Sequence, residues 1–450
     1  MSIGKQLAGF LLKTAYDDLP SQAIENAKMI IASTLASAAA GNDILSARIA
    51  REIAREKGGK PEATIWFDGD GKLPVIEVAR VNAMLSDAAA SDDSDLRNIA
   101  HTGTIITAVS LAVAERTGAT GRDVLEAMVT GYEAGGRIGD AITPGLGQRG
   151  FHACIITVFG GVIAASKLLK LTPDQAGEAI ALAATSMGGL ATSTNSLGRE
   201  YHAGSSVLSA LNAVEHARRG YTADQTGLLE LPRGFLQTFA GEVREDKVLG
   251  GLGESWDIVT DLTIKIWPGA TPFAAVVEAA MNASREGNVN PDLIERITAS
   301  GPRLRTQIGN KHPTDLVEAI HSLPYFVAAG VVDRDFNWQH AYPEKYVDPE
   351  IGRVQDLVEV DEDPPGGFDH YTWGWGATVR IEMKDGSTHS ATVNAPRGSG
   401  SRGIDWADIE LKFRTLTPEA GIEADRADEI LGVVHGFDEL PNVDGLIRLL

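Results

Sequence analysis

Leu262-Thr263-Ile264-Lys265-Ile266-Trp267-Pro268 is the stretch at which this chain changes character. Upstream of Asp257 the apolar residues recur at helical spacing. From 258 to 267 they alternate, and the pattern predicts a strand. A lysine sits at the centre of that strand. An ammonium is costly to desolvate, so it must reach water, meet an anion or give up its proton. Alternation sets Thr263, Lys265 and Trp267 on one face and the aliphatic residues on the other, as in any half-exposed strand. The stretch therefore carries two readings, an ordinary surface lysine and a functional one.

Working outward, residues 1–256 read as helical. Ser21 is placed to cap a first long helix, and Asp43 opens another toward Lys57. Ala63-Thr64-Ile65-Trp66-Phe67 with the turn Asp68-Gly69-Asp70-Gly71 reads as a small hairpin. Further helices are expected from about Val75, Thr104, Arg122, Ala153, Pro173 and Ser205. Many are rich in Ala and Gly, so close helix packing is expected. Past Asp257 the spacing predicts a helix over 272–285, a strand over 293–300 and a helix over 314–332. Strands follow over 358–360, 377–383 and 388–393, the last two joined by Lys384-Asp385-Gly386-Ser387. Arg397-Gly398-Ser399-Gly400-Ser401 reads as a link, after which helices return from Trp406. The fold class expected is mainly α: a large all-helical domain (1–256), a smaller α+β domain (257–400), and C-terminal helices (401–450) that rejoin the first.

The composition bounds the function. The chain has 450 residues, 43% hydrophobic and 22% charged, which is ordinary for a soluble globular protein. Its formal charge of −21 argues against nucleic acid or an anionic membrane surface as a partner. An anionic substrate would need a local cluster of donors to capture it. A single cysteine, Cys154, excludes an intrachain disulfide and a Cys-based zinc cluster. The N-terminus lacks the apolar core of a signal peptide, so a cytoplasmic location is expected.

The candidate chemistry is scattered. Gly145-Leu146-Gly147-Gln148-Arg149-Gly150 matches G-x-G-x-x-G literally, but a helix and Pro144 precede it where a dinucleotide site requires a strand. A loop leading into the helix after His152 is expected instead. Asp92-Asp93-Ser94-Asp95, with His101 shortly after, has three readings: a solvated acidic helix end, a divalent cation site, or carboxylates that orient His101. His152 and His202 fall near expected helix starts, where free N–H groups suit a carboxylate ligand. Arg199 adds a planar carboxylate clamp, with a surface pair to Glu200 as the ordinary alternative. His321 and Tyr325 lie in a helical stretch that Pro324 should break. No G-x-S-x-G, H-E-x-x-H or Walker sequence occurs.

Taken in order, these segments resemble the MmgE/PrpD family. The resemblance rests on the acidic run before His101, Gly131-Tyr132-Glu133, Phe151-His152, His202-Ala203-Gly204, Gly220-Tyr221-Thr222 and Pro232-Arg233-Gly234-Phe235. Residues 265–268, residues 321–325 and Lys412-Phe413-Arg414 continue it over nearly the whole chain. It implies a helical domain with an α+β lid, a cleft between them, a homodimer, and work without an organic cofactor or an essential metal. The active-site residues it implies are Asp92 or Asp93, His101, His152, Lys265 and Tyr325, with His202 on the cleft wall. Arg199, Arg149 and His321 join the substrate side.

Family activities include dehydration of 2-methylcitrate, decarboxylation of cis-aconitate and epimerisation of iminodisuccinate, and the resemblance is nearest to the epimerising members. It implies inversion of a carbon beside a carboxylate in an amino-polycarboxylate, by proton removal and return. Two departures bear on this. The dehydratases and decarboxylases read Asp-x-Asp-Asp-Thr and then His-Pro, whereas this chain reads Asp92-Asp93-Ser94-Asp95-Leu96 and His101-Thr102. Arg199 stands where those relatives carry a lysine, and an arginine effectively cannot exchange protons. The alternatives left open are a hydro-lyase of 2-methylcitrate type, a non-catalytic dimeric polycarboxylate-binding protein and, more remotely, a pyridoxal phosphate enzyme using Lys265.

Overall fold

Helix Cys154–Leu168 shows how the helical part is built. Every residue in it except Lys167 is buried. A helix apolar on all sides must be enclosed by others. Helices Thr102–Thr117, Gly121–Ile142 and Gly198–Arg218 pack against it. The approach is close enough that a Cβ at Gly131 would lie 2.7 Å from the Gly160 carbonyl oxygen, which is why small residues line this seam.

The computed structural model describes residues 1–69, 71–194, 196–224, 227–304, 308–361 and 374–450. Asp70, in the expected hairpin turn, lies outside them. The chain divides into two units, Met1–Leu262 with Trp406–Leu450, and Thr263–Asp405. The fold is mainly α, with the smaller unit α+β. Among the described residues, no helix is long and apolar enough to cross a membrane.

In the first unit, helix Trp406–Leu416 packs on Ser21–Ala40. There the buried Lys412 ammonium donates to Ser33 Oγ (2.7 Å) and to the Ser91 carbonyl. Several helix starts differ from expectation. Pro20 holds the N-cap position, so Ser21 begins its helix rather than capping it. The helix expected from Asp43 is Leu45–Lys57, beginning beyond Asp43. The hairpin keeps only Ala63–Thr64 paired with Lys72–Leu73. Gly145–Gln148 is a one-turn helix rather than a loop.

The second unit holds a four-stranded sheet in the order Val358–Val360, Ile294–Ser300, Ala377–Met383, Thr388–Val393. The first pair is parallel and the others antiparallel. The parallel pair needs a long crossover, and helices Leu323–Val332 and Pro349–Gln355 lie within it. Helix Ala274–Glu286 packs against the sheet, over a core that includes Val379, Ile381, Ile297 and Phe326.

Two expectations near the change of character are corrected. Residues 258–267 are not one strand: Asp257–Thr260 is a helical turn and only Leu262–Ile264 is extended. Alternation also misjudges exposure, since Thr263 is 2% and Lys265 7% exposed, so both faces are covered. The Gly/Ser-rich stretch is not a free link. Ile264 N–H donates to the Gly398 carbonyl at 2.8 Å, and Thr263 and Ser399 form an antiparallel bridge. Gly398 is required there: its φ is +84°, and a Cβ would lie 2.2 Å from the Ile264 carbonyl oxygen.

Candidate active site

The acidic run is a helix cap, not a solvated helix end. Asp92 is 0% and Asp93 1% exposed. Helix Thr102–Thr117 begins after His101, which supplies no side-chain cap. Its first amides would be orphaned. Asp93 satisfies them from outside the helix, accepting from Gly103 N (2.8 Å) and Thr104 N (2.9 Å). Asp92 accepts from Thr104 Oγ1 at 2.9 Å and lies 3.0 Å from His101 Nδ1. The Asp93 carbonyl oxygen is 2.7 Å from the same Nδ1. A carbonyl only accepts, so Nδ1 carries the proton, and the neutral ring has its lone pair on Nε2. Burial and the neighbouring Asp92 push the Asp93 carboxyl up to about 6, against the pull of His101 and the two amides.

Arg97 fixes this loop from below. Its guanidinium donates to the Gly136 carbonyl (2.7 Å), to Asp257 (3.0 Å) and to Asp261 (2.9 Å), while Leu96 N–H donates to the Asp261 carbonyl (2.8 Å). Burial opposes the Arg97 charge, but Asp95, Asp257 and Asp261 more than compensate. Burial pushes the Asp95 carboxyl up to about 7 despite Arg97.

His152 precedes helix Cys154–Leu168. Its Nδ1 accepts the Cys154 N–H at 3.1 Å, and its backbone N–H donates to the Gly189 carbonyl at 3.0 Å. Here the ring nitrogen facing the backbone is an acceptor, so the neutral ring carries its proton on Nε2. Burial, then the proximity of His202, His101 and Arg199, lowers its pKa to about 3. The ring is neutral at any physiological pH. The His202 ring lies 4.6 Å from it, centroid to centroid. Burial lowers the His202 pKa too, against the pull of Asp87.

Helix Gly198–Arg218 starts well before Ser205, so Arg199 and His202 lie within it, three residues apart and on one face. Arg199 is not a surface pair. It is buried, and Nη2 donates to Glu200 (2.7 Å) and to the Asp87 and Ala88 carbonyls (2.9 and 3.2 Å), with Nε 3.5 Å from Asp87 Oδ2. Burial works against its charge, while Asp87 and Glu200 hold it above the ordinary range. It braces one helix against another and cannot release a proton at neutral pH.

One cavity gathers these groups. Asp87, His101, His152, Cys154, Arg199 and His202 line it. Its free space is about 10 Å³, room for one water-sized guest, so a larger ligand enters only if the walls move. Sequence reading missed Asp87, which lies in an Ala-rich helix, and saw Cys154 only as a lone thiol; the His-x-Cys spacing was the available signal. Arg149 does not line this cavity. It is exposed, its guanidinium against Gly241, because the one-turn helix before it points it outward.

The remaining candidates belong to the second unit. Lys265 lines a small hollow with Thr263, Trp267, Thr271, Phe326 and Arg397. The expected helix over 314–332 breaks between Leu316–Ala319 and Leu323–Val332, with Ser322 capping the second part and Pro324 in its first turn. Tyr325 is 1% exposed, and its hydroxyl donates to the His340 carbonyl at 2.8 Å. Burial, then Asp333, raises its pKa. His321 Nδ1 donates to the Val317 carbonyl at 2.8 Å.

Two groups of side chains bring metal-ligating atoms together, His152 with Cys154 and His202, and Asp87 with Asp92 and His101. Burial and the Asp87 charge push the Cys154 thiol up to about 12, so it is protonated as it stands.

Comparison with known proteins bears on what the site does. A cis-aconitate decarboxylase of Aspergillus terreus is 28% identical, over 97% of this chain and 93% of the relative. The cis-aconitate decarboxylases of Homo sapiens (96% of this chain, 91% of the relative) and Mus musculus (100% and 93%) are each 23% identical. The MmgE/PrpD N-terminal domain matches residues 5–246 and the MmgE/PrpD C-terminal domain residues 267–435, so the chain belongs to the MmgE/PrpD family of enzymes.

Proposed function

We propose that this protein moves a proton at a carbon adjacent to a carboxylate of a small polycarboxylate, and that its reaction is epimerisation of an amino-polycarboxylate such as iminodisuccinate. The observation that carries this reading is the opposed tautomers of two histidines on one cavity. His101, with Nδ1–H held by Asp92 and the Asp93 carbonyl, offers a basic Nε2. His152, with Nδ1 occupied by the Cys154 N–H, offers an Nε2–H. A base on one ring and a neutral donor on the other suit removal of a Cα proton and stabilisation of the enediolate oxygen that forms.

Asp92 is anchored to Thr104 and to His101. It stabilises the imidazolium that appears when His101 takes the proton, as an orienting carboxylate does in a triad. The fixed protonation of Arg199 favours a step in which the proton returns to the same carbon, without departure of a hydroxyl.

Decarboxylation of a cis-aconitate-like tricarboxylate is the second reading. The relatives named cis-aconitate decarboxylase match over nearly the whole chain and favour it. Loss of CO2 also leaves a carbanion that needs a proton donor, so the same histidines serve.

Incubation in D2O with iminodisuccinate and, separately, cis-aconitate distinguishes the readings by NMR. Epimerisation incorporates deuterium at Cα with no net loss of substrate. Release of CO2 from cis-aconitate with no exchange into iminodisuccinate would establish the second reading and defeat the first. An unsaturated product would mark a hydro-lyase. Binding of both compounds without turnover would mark a binding protein.

A further inference from the structure

Proton transfer accounts for His152 but not for what stands beside it. One ring nitrogen each of His152 and His202 lies within 4.8 Å of the other and of Cys154 Sγ. His202 Nδ1 is buried with no hydrogen-bond partner. Its Nε2 is 3.3 Å from Ser193 Oγ, and the Cys154 thiol faces the carbonyls of Gly188 (3.7 Å) and His152 (3.9 Å). Gly189, at φ +144°, leaves a gap between these donors: a Cβ there would come 2.6 Å from Sγ and 3.4 Å from His202 Nε2. The space beside them holds one water-sized guest, which is also the size of an ion.

Two imidazoles and a thiolate are the donors that borderline-soft cations select over hard ones. A tetrahedral zinc keeps its nitrogens at about 2.0 Å and sulfur at about 2.3 Å. The three donors therefore need to close by roughly an ångström, within the reach of side-chain torsions.

We propose that His152, Cys154 and His202 form a three-ligand site for a borderline-soft divalent cation of the Zn2+ or Co2+ type, with the fourth position open to the cavity. On binding, the Cys154 S–H proton passes to solvent as the sulfur–metal bond forms. Each imidazole contributes a lone pair, and nothing is oxidised or reduced. To coordinate through Nε2, His152 must shift its ring proton to Nδ1 and so lose the bond from the Cys154 N–H, which makes the site bind more weakly than a structural zinc centre. Occupancy also removes the Nε2–H donor assigned to His152, which makes the cation an inhibitor; this consequence rests on the proposed function, whereas the site itself does not.

The test is titration of the full-length, metal-stripped protein with Co2+, followed by absorption. Expected are one cobalt per chain, a near-ultraviolet thiolate-to-cobalt charge-transfer band, and intense visible bands of a tetrahedral ion, all abolished by excess Zn2+. Cys154→Ser should lose the charge-transfer band and bind at least tenfold more weakly. His202→Gln should weaken binding while keeping the band. A weak six-coordinate spectrum without a thiolate band, as Asp87, Asp92 and His101 would give, overturns the proposal, and so does unchanged affinity in Cys154→Ser. The wild-type spectrum decides the matter even if a variant fails to fold. Cobalt binding with this spectrum but no loss of turnover would uphold the site and count against the role given to His152.

Discussion

Replacing His152 by Gln should make the helical unit more resistant to acid. Burial and three cationic or ionisable neighbours lower the His152 pKa from the ordinary 6.5 to about 3. Between those values the folded ring stays neutral, while the unfolded ring takes up a proton. The unfolded state then binds more protons, so stability is lost as pH falls below 6.5. Each pKa unit corresponds to about 1.4 kcal/mol. The loss from this one ring is therefore at most about 2 kcal/mol at pH 5, rising toward a ceiling of about 5 kcal/mol near pH 3. Partial exposure of the side chain trims these figures. Glutamine keeps a donor and an acceptor but does not titrate. Urea denaturation at pH 7 and pH 5, read by tryptophan fluorescence, measures the effect. Between those two values the wild type should lose up to about 2 kcal/mol more than His152→Gln. Parallel pH dependence in the two proteins would show that the ring titrates normally in the folded state. The neutral-donor argument would then fail with it.

Two other substitutions probe the scaffolding. Arg97→Met removes the cation shared by Asp257 and Asp261 and leaves buried carboxylates uncompensated; it should cost about 3–5 kcal/mol, seen as a lowered urea midpoint. Gly398→Ala places a Cβ 2.2 Å from the Ile264 carbonyl oxygen at φ +84°. It should cost about 1–3 kcal/mol in strain, seen as a lowered urea midpoint; an unchanged midpoint would show that this backbone pairing does not hold the segment.

Periodicity made the helical body and the four-stranded sheet legible, because both depend on runs of apolar residues longer than one turn or one strand. Strands 377–383 and 388–393 came out at their observed bounds for that reason. Lys265 was harder. Alternation reports which residues share a face, not whether that face is covered, and here the backbone of Gly398 and Ser399 is paired to the strand before it. A Gly/Ser-rich stretch looks like a linker by composition, yet Gly398 is glycine because a carbonyl occupies the position of its Cβ. The acidic run posed the same difficulty. Asp92 and Asp93 read as solvated because carboxylates usually are, but ten residues later a helix begins with amides that need acceptors. That pairing depends on a fold of the loop that no local pattern encodes. Asp87 could not be singled out for a similar reason: one carboxylate in an alanine-rich helix becomes informative only once Arg199 is seen to lie against it.

The main chain sets the division of labour between the two histidines. A carbonyl facing His101 Nδ1 and an N–H facing His152 Nδ1 fix opposite tautomers without any ionised group having to choose them. This matters in a chain of net charge −21. Asp87 and Glu200 already offset the charge of Arg199, so the cavity cannot capture an anion by net positive potential. It must instead present aimed N–H donors in a desolvated space, where each is worth more than in water. Such a site favours charge that develops during the reaction over charge present beforehand, because a fully formed carboxylate loses its hydration on entry, whereas an enediolate oxygen forms already in contact with its donor.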